Sequence, residues 1–314
     1  MAAAHAPVVQ FVLLLAACVA PAEGLKVLLF GANGNLGSNV LYQLSAAGHE
    51  VTCFVRSEQR LRAGFNDRIF DDVVVIEGDA CDRAAVDSVM AGAVYDVAVS
   101  TAGYVDNGVR NEKEALATPF CRMFDNIACA AEQHLPPPRR ALFIGGITAL
   151  DLPGITPPSA LQPLLSSRAP QYVAHQLNHA RLARSGLDWT LLCPGYLVDA
   201  APSGCAPGGC EPGDQPLRLS IDIVPAFPPE STFKPWQLKS PLKYPFVLLP
   251  FRLRRGEWTV PYESVAAVLV DNLAPGGSLS RARVGLANPV GVRLKKTKAV
   301  RKRERNERAR VPEG

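Results

Sequence analysis

Residues 25–37 read Leu-Lys-Val-Leu-Leu-Phe-Gly-Ala-Asn-Gly-Asn-Leu-Gly. An apolar run, Val27-Leu28-Leu29-Phe30, breaks into three glycines spaced three apart: Gly31, Gly34 and Gly37. An amphipathic run carrying Val40, Leu41 and Leu44 follows. The pattern is a strand, a tight turn and the start of a helix. Gly31 permits the sharp turn, Gly34 lets backbone approach a pyrophosphate with no Cβ in the way, and Gly37 lets the helix pack close to the strand. Free N–H groups at the helix N-terminus, Gly31, Asn33, Gly34, Asn35, Leu36 and Gly37 among the cradle residues, would then receive the phosphates. A glycine-rich turn with no ligand is the alternative, and the signals downstream weigh against it.

Strands and helices alternate beyond this turn. Strands are expected at 25–30, 50–55, 72–76, 96–100, 140–144 and 189–193. Helices are expected at 36–47, 58–63, from a cap at Asp82, at 113–133, at 170–185 and at 264–273. Gly48 stops the first helix and Pro136-Pro137-Pro138 stops the fourth. Alternation of this kind gives right-handed βαβ units and a parallel sheet covered on both faces. The fold class is therefore α/β, a doubly wound parallel sheet, with a small irregular C-terminal substrate lobe at about 195–260. There Gly, Pro and Cys crowd together and only short strand-like pieces remain, at 217–224 and 258–260. The apolar stretch 244–251 suits a pocket wall or a partner surface.

Hydrophobic residues make up 48% of the 314 and charged residues 20%, which suits a globular chain with ample core. The charge is uneven. From Arg293 onward ten Lys/Arg face three Glu, a net of +7, so with a total of +4 the remainder carries −3. Residues 291–314 read as a basic tail suited to an anionic membrane or an acidic partner, or simply solvated. It lacks the interleaved aromatics that stack on bases, which argues against sequence-specific nucleic-acid binding.

Residues 1–24 read as a signal or targeting segment. Residues 8–20 are apolar, and Ala20-Pro21-Ala22 offers a small-x-small cleavage site. A buried first strand or helix is the alternative. The segment implies secretory entry, to the ER lumen or outside the cell, or a plastid reached through a signal-bearing presequence. Cys53, Cys81, Cys121, Cys129 and Cys193 fall on apolar elements and read as small core residues, whereas Cys205 and Cys210 could pair in an oxidising lumen. No Cys/His spacing suggests a metal.

The ordered set resembles the atypical short-chain dehydrogenases over about residues 25–273. It comprises GxxGxxG, Arg56 closing the second strand, Gly78-Asp79 closing the third, Thr101-Ala102-Gly103 closing the fourth, and SGLDWTLLCPG at 185–195. The branch it looks most like is the NmrA-like NAD(P)H-binding group, which includes flavin and biliverdin-IXβ reductases. The resemblance implies a Rossmann fold and an oxidoreductase that passes a hydride to a conjugated or carbonyl small molecule.

Arg56 stands where an acidic residue would hold a ribose 2′-hydroxyl. A guanidinium there holds a 2′-phosphate instead, so NADP(H) is expected over NAD(H), with a solvated strand-end Arg as the alternative. Asp79 either accepts from the adenine amino group or caps a helix. Thr101, Ala102, Gly103 and Pro194 are placed along the cofactor.

The proton-handling residues depart from the pattern. Short-chain dehydrogenases use Tyr-x3-Lys; here Tyr172 is followed by Gln176, which cannot depress a phenol pKa. After the fifth strand stand Gly145-Gly146, with Thr148 the nearest hydroxyl, and Cys193 replaces an Arg that many members carry. His175 and His179, one turn apart before Ser185-Gly186-Leu187, look like the histidines of the flavin and biliverdin reductases. Tyr172, His175 and Thr148 are the catalytic candidates, with helix packing the alternative for both imidazoles. A catalytically weak NADP(H)-binding scaffold, redox sensor or accessory subunit is the second functional expectation.

Overall fold

In a computed structural model, residues 24–103, 111–150, 171–199, 222–224 and 258–288 are described. The segment expected to target the chain, Cys205 and Cys210, the apolar stretch 244–251 and the basic residues 291–314 lie outside them. The first strand, β1 (Lys26–Phe30), is central. Its Val27, Leu28, Leu29 and Phe30 are fully buried, as two-sided coverage of a parallel sheet demands.

The strands β2 (Glu50–Val55), β3 (Val73–Glu77), β4 (Val97–Ser100), β5 (Arg140–Ile144) and β6 (Asp188–Pro194) fall within a residue or two of their expected places. Two further strands complete the sheet, β8 (Asp222–Val224) and β10 (Ala282–Ala287). The order is β3-β2-β1-β4-β5-β6-β10-β8, with every pairing parallel except β10 with β8. The chain reverses its winding between β1 and β4. In sheets of this kind ligands bind in the crevice outside the strands' C-terminal ends at such a switch point. This is a Rossmann-type sheet.

Helices cover both faces. On one, α1 (Asn35–Ala46) packs against α7 (Tyr262–Asp271), and Val40, Leu41, Leu269 and Val270 meet Val27, Leu29, Leu142 and Leu192 of the sheet. On the other, α3 (Arg83–Ala91), α5 (Pro119–His134) and α6 (Gln171–Ala183) cover Leu28, Phe30, Phe143 and Leu191. Asp82 caps α3 as expected, accepting from Ala84 and Ala85 N–H at 2.9 and 3.4 Å. The short α2 (Glu58–Arg62) follows β2.

Three features differ from the sequence expectation. The single helix at 113–133 is two, α4 (Glu112–Leu116) and α5, because Thr118 Oγ1 accepts from Cys121 N–H at 3.2 Å and Pro119 opens a fresh helix. Strand β10 was not anticipated: Arg283 and Gly285 interrupt its pattern, yet Val284 and Leu286 reach the core beside β6. The segment expected as a lobe begins and ends in a two-stranded parallel sheet, β7 (Tyr196–Val198) with β9 (Thr259–Pro261), while β8 from its middle joins the main sheet.

At the opposite, N-terminal edge of the sheet Arg140 is buried with Asp188. Its guanidinium donates to Asp188 Oδ1 at 3.2 Å and to the Asn272 carbonyl at 2.6 Å; Asp188 also accepts from Ser280 Oγ at 2.5 Å and Gly276 N–H at 2.9 Å. Far from the crevice, this pair ties β5, β6 and the turn before β10 together. No described helix is long and apolar enough to cross a membrane.

Candidate dinucleotide-binding site

The three glycines of the first turn differ in what requires them. Gly31 has φ +84°, and a Cβ there would lie 2.6 Å from Ala102 N, so both the turn and the neighbouring β4 exit demand glycine. A Cβ on Gly37 would lie 2.0 Å from the Gly31 carbonyl oxygen and 2.7 Å from Thr101 Oγ1, so helix and strand ends meet without room for a side chain. Gly34 is different. Its φ is −84°, and a Cβ there would meet only the Gly31 carbonyl, at 3.3 Å. Gly34 is the least crowded of the three, although a Cβ there would still press on the Gly31 carbonyl.

Gly34 is the N-cap of α1, with no side-chain hydrogen bond at the cap and no acidic residue in the first turn. The N–H groups at this end therefore meet no capping side chain, and the helix dipole there carries no compensating carboxylate. Asn33, Gly34 and Asn35 are exposed and Leu36 is buried beneath them. Gly34 N–H donates to the Gly31 carbonyl at 3.0 Å, so the donors that fit a pyrophosphate are those further into the first turn. Thr101 is fastened to β1, with its N–H at 3.0 Å and its Oγ1 at 2.9 Å from the Phe30 carbonyl. Ala102 and Gly103 continue along the rim.

The rim extends to the β2 and β3 ends. Asn33 Nδ2 donates to the Ser57 carbonyl at 3.1 Å, joining the glycine turn to the residue after Arg56. Ser57 caps α2 through Arg60 N–H at 3.3 Å, and Glu58 N–H donates to Glu77 Oε1 at 2.6 Å. Arg56 itself is exposed. A Cβ on Gly78 would lie 2.4 Å from the Phe54 ring, so this glycine seats the aromatic under the rim. Asp79 Oδ1 accepts from Cys81 N–H at 2.9 Å, which makes it the anchor of a turn; the helix cap is Asp82.

Thr148 lies in a 3-10 turn, Ile147–Ala149, after β5, and Tyr172 lies in the first turn of α6. Both are placed by backbone alone. His175, one turn further along α6, reaches the end of β5: a Cβ on Gly146 would lie 2.6 Å from His175 Nε2. The imidazole stands edge-on to Phe120 with ring centres 5.2 Å apart. Its Nδ1 is buried without a hydrogen-bond partner among the described residues. Burial pushes its pKa down to about 4, so the ring is neutral at physiological pH.

The two histidines part company. His179 packs edge-on against Trp189 at 5.8 Å, with Nδ1 3.3 Å from Arg283 Nη1, and so belongs to the helix–sheet interface. Arg283, on the unanticipated β10, also donates to the Ala149 carbonyl and thereby holds the turn that carries Thr148. Pro194 is buried at the end of β6. Cys193 is buried too, its thiol pushed up to about 12 by desolvation, so it is an inert neighbour of Gly145.

The cysteine expectation holds for Cys53, Cys121 and Cys193 but not for Cys81 and Cys129, which are only half-buried. Cys81 follows the strand in a turn, and Cys129 Sγ meets Arg181 Nη2 at 3.1 Å. Arg181 also binds Asp125 at 2.8 Å and Glu132 at 2.7 Å, pinning α6 to α5. No cluster of three or more metal-ligating side chains occurs among the described residues.

Residues 31–218 match the model of a protein family described as NAD(P)H-binding. No curated protein matches the chain. Among solved structures, a short-chain dehydrogenase/reductase of Veillonella parvula in complex with NADP is 15% identical, with a TM-score of 0.53 over 87% of this chain and 98% of its own. The anaerobillin reductase ChuY of Escherichia coli O157:H7 is 18% identical, with a TM-score of 0.51 over 87% of this chain and 100% of its own. The oxidoreductase ylbE of Lactococcus lactis is 16% identical, with a TM-score of 0.50 over 90% and 97%. At these identities the likeness is one of fold.

Proposed function

The chain belongs to the NAD(P)H-binding family, and from that premise we propose that it is an NADP(H)-dependent oxidoreductase acting on a conjugated or carbonyl small molecule. The observation that carries this reading is the glycine turn at 31, 34 and 37 leading into a helix N-terminus with no side-chain cap. Gly31, Asn33, Gly34, Asn35, Leu36 and Gly37 would cradle the pyrophosphate. Arg56 would take the 2′-phosphate, Asp79 the adenine edge, and Thr101, Ala102, Gly103 and Pro194 would line the remainder. The cofactor supplies or accepts the hydride. Of the catalytic candidates, Tyr172 and Thr148 carry hydroxyls that could pass a proton, whereas a neutral His175 is suited to orienting a bound group. Fluorescence titration with NADPH and NADH tests the reading; absence of binding by either ends it.

A second reading is favoured by two observations: Gln176 stands where Lys would activate Tyr172, and Gly145-Gly146 leave the end of β5 without a hydroxyl. On that reading the chain is an NADP(H)-binding scaffold, redox sensor or accessory subunit. NADPH binding with no turnover of quinone, flavin or carbonyl acceptors supports it, and turnover abolished by Tyr172→Phe excludes it.

The same proposal includes secretory entry directed by residues 1–24, to the ER lumen or outside the cell, with a plastid reached by a signal-bearing presequence as the alternative. The basic tail would meet an anionic membrane or an acidic partner. N-terminal sequencing of the mature protein and vesicle co-sedimentation of the full chain with and without its tail check the two.

A further inference from the structure

We propose that His175 binds the nicotinamide half of the cofactor, its imidazole standing over the bare end of β5 that Gly146 provides. The inference rests on the proposed dinucleotide site and extends it to a residue that the cofactor motifs do not include. The argument begins with direction. The glycine turn and α1 N-terminus hold the middle of a dinucleotide, and Arg56 and Asp79 at the β2 and β3 ends lie to one side of it. The other half must cross the switch point toward the ends of β4, β5 and β6. The backbone that meets it at β5 is Gly145-Gly146, and neither residue brings a side chain.

Both glycines lie close under neighbouring side chains. A Cβ on Gly145 would lie 3.2 Å from Cys193 Sγ, and one on Gly146 would lie 2.6 Å from His175 Nε2. A side chain at 146 and the His175 imidazole thus compete for one volume, and the imidazole has it. Phe120, edge-on at 5.2 Å, fixes the ring plane from the α5 side. Nδ1 is enclosed and has no partner among the described residues, so its hydrogen-bonding capacity is left for a bound group.

The chemistry is complementary. Enclosure keeps the ring neutral, so it offers one N–H donor and one nitrogen acceptor. A nicotinamide carboxamide carries a carbonyl acceptor and an amide donor. A charged imidazole would repel the oxidised, cationic ring; a neutral one does not.

The test uses the full chain labelled with 15N-histidine and two probes, NADPH and adenosine 2′,5′-bisphosphate, which keeps the adenine half and lacks nicotinamide. The His175 ring signals, assigned through loss in His175→Phe, are expected to shift with NADPH and not with the bisphosphate. His175→Phe should weaken NADPH about tenfold, the equivalent of one buried hydrogen bond, and leave the bisphosphate unchanged. His175→Gln, which retains a donor and an acceptor, should recover most of that loss. NADPH that binds while the His175 signals stay still, or shift equally with both probes, overturns the inference and leaves the dinucleotide site standing. NADPH that does not bind at all overturns the site and the inference with it.

Discussion

Asn33 and Ser57 are joined by a hydrogen bond of 3.1 Å from the Asn33 amide to the Ser57 carbonyl, across 24 residues of sequence. The bond fastens the glycine turn at the end of β1 to the strand end that carries Arg56. Two halves of one proposed cofactor site are therefore held at a fixed spacing. Asn33→Ala removes that tie on an exposed surface. It should weaken NADPH by about three- to tenfold while leaving the melting temperature nearly unchanged. Titration and calorimetry on the same sample check both.

Gly34 and Gly37 separate ligand from packing. Gly37→Ala places a Cβ 2.0 Å from the Gly31 carbonyl oxygen and should cost about 3 kcal/mol or more of stability. Gly34→Ala meets nothing closer than 3.3 Å and should cost under about 1 kcal/mol, the ordinary loss of a glycine N-cap. Yet Gly34→Ala should lower NADPH affinity at least about tenfold, because its methyl occupies the pyrophosphate's place. Urea denaturation and NADPH titration of the two variants should rank them in opposite orders.

His175 predicts an acid limb of stability. Its native pKa, lowered by burial to about 4, lies below the ordinary value of 6.5, so the unfolded chain takes the proton first. Its contribution is constant above pH 6.5 and falls away between 6.5 and 4, by on the order of 2–3 kcal/mol. His175→Gln should remove that part of the slope when unfolding free energies of variant and parent are compared across the window.

Asp188 should matter to stability and not to the cofactor. Burial alone would raise its pKa, but hydrogen bonds from Ser280 and Gly276 and the Arg140 charge hold the carboxyl below its usual range. Its stabilising contribution is present above the unfolded value of about 3.9 and is lost as pH falls through the native one. Asp188→Asn strands a buried guanidinium and should cost about 3–5 kcal/mol, with the NADPH dissociation constant unchanged within about twofold. Chemical denaturation and NADPH titration of the variant measure the two effects independently.

Much of this architecture is written locally in the chain. The glycine spacing at 31, 34 and 37 locates the crevice, because turn, approach and packing each leave a mark on neighbouring residues. Asp82 as a cap is equally local. What escapes sequence reading is non-local. Strand β10 exists because β6 offers it a partner, and Arg283 and Gly285 hide its pattern. Thr118-Pro119 does carry a local start signal, but the apolar periodicity running through it masks the break. The division of labour between His175 and His179 follows from Gly146 and Trp189, residues 29 and 10 positions away. No spacing rule links an imidazole to the glycine that makes room for it.

The most direct measurement is NADPH and NADH binding by fluorescence titration on the full chain, with Arg56→Asp alongside. The account predicts that NADPH binds more tightly than NADH and that the variant loses about 10- to 100-fold in NADPH affinity with little change for NADH, the loss expected of a charge-assisted phosphate contact. Binding of neither dinucleotide, or equal binding of both that Arg56→Asp leaves unaltered, would contradict it.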